Sequence, residues 1–177
     1  RYMAGLLSLL FGGNKSEKDV KAIRPLVQQI NSFFEQYQSL SNDELRGKTV
    51  DFRGRIKEYL QEIDNQIEAQ KAEAEKLDSA DISGRDAIYR HVDDMTKDRD
   101  KKLEEVLLDI LPEAFAVVKE TSRRFKENAE LISTATELDR TFAETKKYLR
   151  IEGDKSIYKN TWTAGGSEIV WNMVPYD

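Results

Sequence analysis

The sequence predicts a mainly α protein: a helical bundle with a long antiparallel helical-hairpin excursion and a small C-terminal β-hairpin. Apolar residues recur at helical spacing from about residue 16 to 38, and again from about residue 41 to 67. A third helical pattern returns from about residue 83 and leads into the most strongly patterned apolar stretch, which starts at Leu111. Only after Leu149 does the spacing change to the partial alternation that is typical of strands.

Composition supports one helix-rich core and excludes several kinds of site. The chain has 177 residues, of which 39% are hydrophobic and 34% are charged. Lys and Arg total 28 against 33 Asp and Glu, so the net charge is −5 and nucleic acid is not an expected partner. The absence of Cys excludes disulfides, zinc-thiolate sites and a thiol nucleophile. No apolar run approaches the ~20 residues that a membrane-spanning helix needs.

The first 13 residues form a predicted N-terminal amphipathic arm, which ends at Gly12-Gly13 and is followed by basic residues. It is either a terminal helix, docked on the rest of the protein or frayed, or a surface that contacts a membrane or a partner. The predicted contact residues are Leu6, Leu7, Leu10, Phe11 and Lys15.

Capping residues and prolines predict where the helices begin. Ser16 is a candidate N-cap, while Pro25 predicts either a kink or a helix that starts near it. Ser41 with Glu44 has the spacing of a capping box, and Ser83 is the candidate N-cap of the returning helix.

Pro112 has the residue type expected in the first turn of a helix, where its missing N–H would be unbonded anyway. Glu113 would then lie at the positive end of that helix. We therefore expect the returning helix to be kinked or broken at Pro112. The apolar arc behind it consists of Ala114, Phe115, Val117, Val118, Thr121 and Phe125.

Residues 64–102 are predicted to form an antiparallel coiled-coil-like excursion within a helical domain of residues 14–149. From Glu68 to Lys76 the apolar content falls to alanines, and turn residues follow. The excursion is either a solvated spacer or a docking element for a partner.

Two strand-like runs, Ser156–Thr163 and Glu168–Val174, flank a Gly-Gly turn and predict a hairpin within residues 150–177. A helix is expected from about residue 136 to 148, and a turn over residues 150–154. Trp162 and Trp171 both lie in the hairpin. They are either core residues or a platform for a ligand or a partner domain.

Motifs for catalysis are missing from the sequence. A phosphate-binding P-loop needs G-x-x-x-x-G-K-[ST], and the nearest imitation, Gly153-Asp154-Lys155-Ser156, lacks the upstream glycine. The single histidine, His91, has one possible further ligand at helical spacing, Asp94, so a solvated helix face is expected. We predict no catalytic and no metal-binding residue in this chain.

Three segments carry a family resemblance. They read L-P-E-A-F-A-V-V-K-E-T-S-R-R at residues 111–124, L-S-N-D-E-L-R-G-K-T at 40–49 followed by D-F-R at 51–53, and W-N-M-V-P-Y-D at 171–177. In their order along the chain they resemble the N-terminal region of the SecA family, the motor ATPases of bacterial preprotein translocation. The excursion departs from the resemblance, because typical members connect the first two segments by a much shorter path.

The resemblance implies an N-terminal fragment of a SecA-type ATPase that ends before the Walker A loop. The parent would use ATP and Mg²⁺ to drive preproteins through the SecYEG channel, whereas the fragment would be a structural or interaction segment without catalysis or a cofactor of its own. Met173 and Tyr176 would lie at the adenine edge of the parent's nucleotide cleft.

Implied partners are SecYEG, preprotein and acidic phospholipid, with a homodimer possible. The implied location is cytoplasmic, peripheral at the inner membrane. The alternative is a stand-alone helical scaffold or interaction protein, with the excursion as its docking element.

Overall fold

The computed structural model describes residues 17–78 and 80–175. In chain order its elements are α1 (Glu17–Tyr37), α2 (Asn42–Lys76), α3 (Ile82–Glu127), β1 (Glu130–Thr134), α4 (Glu137–Ala143), β2 (Leu149–Glu152), β3 (Lys155–Lys159), β4 (Thr161–Ala164) and β5 (Ser167–Val170). The mainly α class with a small C-terminal β-hairpin is confirmed. None of the described helices contains a stretch long and apolar enough to cross a membrane.

The chain divides into two compact units. Among the described residues, 50–111 form the first, which we call the hairpin unit. Residues 17–49 and 112–175 form the second, which we call the sheet unit.

In the hairpin unit, the C-terminal part of α2 pairs with the N-terminal part of α3. Arg55 bonds Asp109 at 2.7 Å and the Tyr59 hydroxyl donates to Glu105 at 2.8 Å, so residues pair in opposite chain order. A thin apolar seam lies between the helices, made of Leu60, Ile67, Ala74, Val92, Val106 and Ile110. The predicted antiparallel helical hairpin is therefore confirmed.

The capping box at the start of α2 is also confirmed. The Ser41 N–H donates to Glu44 Oε2 at 2.7 Å, and the Glu44 N–H donates to Ser41 Oγ at 3.2 Å. At the start of α3 the predicted cap is wrong, because Ser83 is already helical. Asp81 has the capping role instead, since its Oδ1 accepts the Gly84 N–H at 2.9 Å.

The prolines do not end helices. α3 runs unbroken through Pro112, so the predicted break is wrong, and Glu113 lies mid-helix, where it accepts a hydrogen bond from the Tyr37 hydroxyl at 2.9 Å. α1 begins at Glu17 rather than near Pro25. In both helices packing outweighs the lost backbone hydrogen bond, which costs about 3 kcal/mol. Ser16, the predicted N-cap, lies outside the described residues.

The core of the sheet unit forms where α1 and the start of α2 pack on the C-terminal half of α3. Its buried centre is Ile30, Tyr37, Leu45 and Ala116, with Phe115 and Val117 packed against it. The predicted apolar arc of α3 is therefore right in part. Val118, which belongs to that arc, is exposed, while the polar residues Lys119 and Glu120 are buried.

The strands are more numerous than predicted. β3 is the central strand of an antiparallel sheet of order β1–β3–β2, and β4 pairs with β5 in a separate hairpin. β2 lies where a turn was expected, and β1 lies in a segment for which no element was predicted. α4 is shorter than the predicted helix.

The predicted strand from Ser156 to Thr163 is wrong as one element, because it divides at Asn160. The Asn160 N–H donates to the Ala129 carbonyl at 2.9 Å, while its own carbonyl accepts the Trp171 N–H at 2.8 Å. The backbone of this residue thus bonds in two directions, towards the end of α3 and towards the hairpin. One strand ends and another begins there.

Candidate binding site at the C-terminal strands

A buried arginine organises the helical end of the sheet unit. Arg124, 7% exposed, donates to Glu120 at 2.7 Å on its own helix. Its other nitrogens donate to Asn42 Oδ1 at 2.7 Å and to the carbonyls of Tyr37 at 3.1 Å and Leu40 at 2.7 Å. Arg124 therefore satisfies the carbonyls at the end of α1 and ties the α1–α2 turn to α3.

Glu120 is completely buried and pairs with two arginines. Arg123 donates to both of its oxygens at 2.8 Å, beside the bond from Arg124. Burial alone would raise the pKa of Glu120, but the two guanidinium groups outweigh that effect and lower it. Both oxygens of the Glu120 carboxylate therefore accept hydrogen bonds from arginines, as expected of a structural ion pair.

A second polar cluster connects the sheet to α2. Asp139 on α4 is fully buried; its Oδ1 bonds Arg46 at 2.6 Å and also accepts from the Tyr158 hydroxyl. Its other oxygen accepts the Thr136 N–H at 2.8 Å, which completes a capping box at the start of α4. The Thr136 hydroxyl donates to the same oxygen at 2.9 Å, so four donors converge on one carboxylate.

These contacts shift two titrations in opposite directions. Burial would raise the pKa of Asp139, but the hydrogen bonds from Arg46, Tyr158 and Thr136 outweigh it and hold that pKa well below its ordinary value. Burial, together with the hydrogen bond to Asp139, raises the pKa of Tyr158 to about 12. Both groups therefore keep one protonation state near neutral pH, which is typical of a structural contact.

An aromatic cavity lies where the end of α3, β3 and the β4–β5 hairpin meet. Its volume is about 390 Å³, within the range of small-ligand and side-chain pockets. The aromatic lining residues are Phe125, Tyr148, Tyr158, Trp162 and Trp171. The two indoles are tilted by 52° with ring centroids 6.2 Å apart, a separation within the range of favourable aromatic pairs.

The two tryptophans are not core residues, so the first of the two interpretations is wrong. Trp162 is 38% exposed and Trp171 is half-buried, because the two-stranded hairpin has no third layer over it among the described residues. The platform interpretation fits their position at the mouth of the aromatic cavity.

A second cavity, of about 590 Å³, adjoins the first and shares with it Tyr148, Lys159, Thr161 and Trp162. We call the two together the Trp groove. The second cavity adds Lys146 and Lys147 from the connection before β2, and Glu168 from β5. The Trp groove therefore has an aromatic floor and a basic side.

The predicted site residues are only partly within the described structure. Met173 is 66% exposed, and its carbonyl accepts a hydrogen bond from the Trp171 indole N–H at 2.7 Å. Tyr176 and the five N-terminal contact residues lie outside the described residues. His91 is exposed on α3, and no three acidic or histidine side chains of residues 17–78 and 80–175 could hold a metal together.

A family comparison agrees with the resemblance of the three segments. The model of the SecA DEAD-like domain matches residues 7–142, more than three quarters of the chain. The chain belongs to the SecA family. The matched range ends inside α4, so β2 to β5 and the Trp groove lie almost entirely beyond it.

Curated SecA relatives extend the likeness to nearly the whole chain. The "Protein translocase subunit SecA" of Flavobacterium psychrophilum is 45% identical over 95% of the chain, and that of Amoebophilus asiaticus is 45% identical over 99%. The protein of the same name from Phocaeicola vulgatus is 43% identical over 93%. The chain spans only about 15% of the length of these relatives. No solved structure matches the chain.

Sequence reasoning found the tryptophans of the Trp groove but missed its remaining walls. Tyr148 fell at the end of the helix expected from about residue 136 to 148, and Lys146 and Lys147 were not singled out. Their only sequence mark is a Lys-Lys-Tyr triplet directly before a strand. Phe125 was assigned to a core arc, whereas it also lines the aromatic cavity.

Proposed function

We propose that this chain is part of a SecA-type ATPase that drives preproteins through the SecYEG channel. The supporting observation is the likeness to proteins named translocase subunit SecA over 93–99% of the chain, together with the SecA DEAD-like domain match. The longer protein would bind ATP and Mg²⁺ through residues outside these 177. The chain itself would have a structural and interaction role, without catalysis.

The polar clusters support that division of labour. The carboxylates of Glu120 and Asp139 are buried and accept hydrogen bonds from the same chain on both oxygens, which favours a structural role over that of a base or a metal ligand. In the proposed organisation, residues 1–13 are an amphipathic arm, 14–149 a helical domain, and 150–177 the approach to a nucleotide-binding domain.

Met173 and Tyr176 are proposed to contact the adenine edge of bound ATP in the longer protein. The exposure of the Met173 side chain is compatible with this role. In the longer protein, Met173→Ala is expected to raise the KM for ATP several-fold with little change in kcat, because the side chain would contact the base and not the reacting phosphate.

The N-terminal arm is proposed to bind acidic phospholipid, which would place the protein at the cytoplasmic face of the inner membrane. Vesicles that contain phosphatidylglycerol should bind the chain at low salt and release it at high salt. Replacing Leu6, Leu7, Leu10 and Phe11 by serine should abolish that binding. Salt-independent binding, or unchanged binding of the variant, would contradict the proposal that the N-terminal arm binds acidic phospholipid.

The decisive experiment begins with the source gene beyond the codon for Asp177. A continuation of V-Q-L-x-G-G followed by G-x-G-K-T would identify the nucleotide-binding segment. The protein encoded by the whole gene should then hydrolyse ATP faster when SecYEG proteoliposomes and a preprotein are both present. A stop codon after Asp177 would overturn the proposal that the chain is part of a motor ATPase, and the helical-scaffold alternative would take its place.

A further inference from the structure

We propose that the Trp groove binds an extended, acidic peptide segment of another protein. One large apolar side chain of that peptide would enter the aromatic cavity, and its carboxylates would pair with Lys146, Lys147 and Lys159. Its lining residues are not among those proposed to contact ATP or lipid. It would give the chain a protein partner whether or not the longer protein is a translocase.

The first supporting observation is the size and chemistry of the aromatic cavity. At about 390 Å³ it can hold one or two large apolar side chains, and five aromatic rings line it. Aromatic residues with a polar tip, such as Tyr148 and Trp162, are the kind that binding interfaces favour. An apolar side chain that enters the cavity would remove the exposed part of Trp162 from water.

The second observation is charge. The charged residues lining the Trp groove are three lysines, Lys146, Lys147 and Lys159, and one glutamate, Glu168, a net charge of +2. The chain as a whole has a net charge of −5. A local excess of positive charge on an acidic protein attracts a negatively charged partner and orients it.

The third observation is the open backbone of the β4–β5 hairpin. The chain turns over two glycines, Gly165 and Gly166, with φ of 57° and 82°, as expected of a two-residue hairpin turn. In such a ladder, alternate residues direct their N–H and C=O groups away from the partner strand. Here these are Thr161 and Thr163 on β4, and Glu168 and Val170 on β5.

No third strand pairs with β4 or β5 among the described residues. The second cavity of the Trp groove is also lined by Thr161, Thr163 and Glu168, so the free backbone groups and the lysines are adjacent. A free strand edge selects a polypeptide over other anions, because only another backbone offers N–H and C=O groups at the same spacing. This is why we choose a peptide rather than a lipid surface or a nucleic acid.

The chain supplies its own reporter for a test. It has two tryptophans, and both line the Trp groove. Indole fluorescence of the 177-residue chain therefore reports on this site alone. The probe is a synthetic eight-residue peptide that alternates glutamate and phenylalanine. Two control peptides replace either every glutamate by lysine or every phenylalanine by serine.

We expect the glutamate–phenylalanine peptide to shift the indole emission to the blue in a saturable titration. Neither control peptide should do so below about tenfold higher concentration. The double variant Lys146→Glu/Lys147→Glu should weaken binding about tenfold, since two attractive contacts become repulsive. Both lysines are exposed, so this variant should retain the parent's circular dichroism.

A matched control changes the net charge equally but away from the site. Lys21→Glu/Lys57→Glu alters two other exposed lysines and should bind the peptide like the parent. A second site variant, Trp162→Phe, keeps an aromatic ring in the groove and leaves Trp171 as the reporter. It should still show saturable binding, with a smaller total change in emission.

Three results would overturn the proposal. Equal responses to the acidic and the basic peptide would mean that charge does not select the ligand. A response to phosphatidylglycerol vesicles without one to the peptide would mean that the site contacts a lipid surface. A blue shift that depends on protein concentration alone, with a dimer in sedimentation, would mean that a second copy of the chain occupies the groove.

Discussion

Arg124 and Glu120 illustrate how single residues stabilise this fold from inside. Both are buried on α3, and Arg124 reaches the carbonyls at the end of α1 as well as Asn42 on α2. A buried ion pair of this kind contributes modestly as a pair, but the loss of one member leaves an uncompensated charge in the interior.

Arg124→Leu is therefore expected to lower the free energy of unfolding by about 3–5 kcal/mol, as measured by urea denaturation. The matched control is Lys97→Met, which removes a surface pair with Asp94 whose side chains are 70% and 73% exposed. That control should change stability by less than about 1 kcal/mol. Equal changes in the free energy of unfolding for the two variants would mean that the buried Arg124 contacts do not stabilise the fold.

Asp139 leads to a pH prediction. Because its folded pKa lies below the ordinary value of 3.8, its ionised form stabilises the protein above about pH 4, and that contribution is lost as the pH falls through the folded pKa. Asp139→Asn should lower the free energy of unfolding by about 2–3 kcal/mol at neutral pH. The loss stays moderate because the Arg46 side chain has access to solvent.

The gap in unfolding free energy between the parent and Asp139→Asn should narrow as the pH is lowered from about 4 to about 2. Urea titrations at several pH values measure it. Asp154→Asn is the control, because that carboxylate is 81% exposed and 3.7 Å from its partner Lys155. A gap that stays constant over the acid range would contradict the assignment of this carboxylate as the titrating group.

At the scale of elements, two sets of side-chain hydrogen bonds stabilise the α1–α2 connection. Arg124 satisfies carbonyls at the end of α1, and the Ser41–Glu44 capping box satisfies donors at the start of α2. The first turn of α2 then contacts the sheet, since Asn42 donates to the Ile132 carbonyl at 2.8 Å and Asp43 accepts the Thr134 N–H at 2.7 Å. The start of α2 therefore positions β1.

Ser41→Ala is expected to reduce stability by about 1 kcal/mol, because the Glu44 N–H loses its acceptor. Ser41→Thr should retain most of that stability, since its hydroxyl can accept the same bond. Thermal melts followed by circular dichroism compare the two. If alanine and threonine behaved alike, the hydroxyl would not be the stabilising group.

At the scale of the whole molecule, stability is distributed unevenly. Every β5 residue is exposed, and an isolated two-stranded hairpin is marginal in water. The helices have buried seams and polar clusters that the β4–β5 hairpin lacks. Loss of the hairpin contacts is therefore expected before loss of the helices.

Tryptophan emission and helical circular dichroism should accordingly give different urea midpoints, with the emission change at the lower concentration. Trp162 and Trp171 report on the hairpin, while the dichroism signal reports mainly on α1, α2 and α3. Coincident transitions would show that the hairpin unfolds together with the helices. Addition of the glutamate–phenylalanine peptide should raise the emission midpoint if the Trp groove binds it.

The sequence by itself determined the features that depend on local patterns. Helical periodicity predicted the long helices and their antiparallel hairpin, the Ser41–Glu44 spacing predicted the capping box, and the Gly165-Gly166 pair predicted the β4–β5 turn. The three family segments pointed to SecA. These features could be read early because each depends on residues that are near one another in the chain.

Only the tertiary structure decided which polar residues are inside and which aromatic residues are outside. Arg124 and Asp139 are buried because donors and acceptors more than 80 residues away in sequence complete their bonds. The Trp groove exists because Phe125, Tyr148 and Trp162 come from separate elements. α3 continues through Pro112 because packing on both sides outweighs one missing hydrogen bond. Local pattern cannot contain such information, since each outcome depends on contacts between distant parts of the chain.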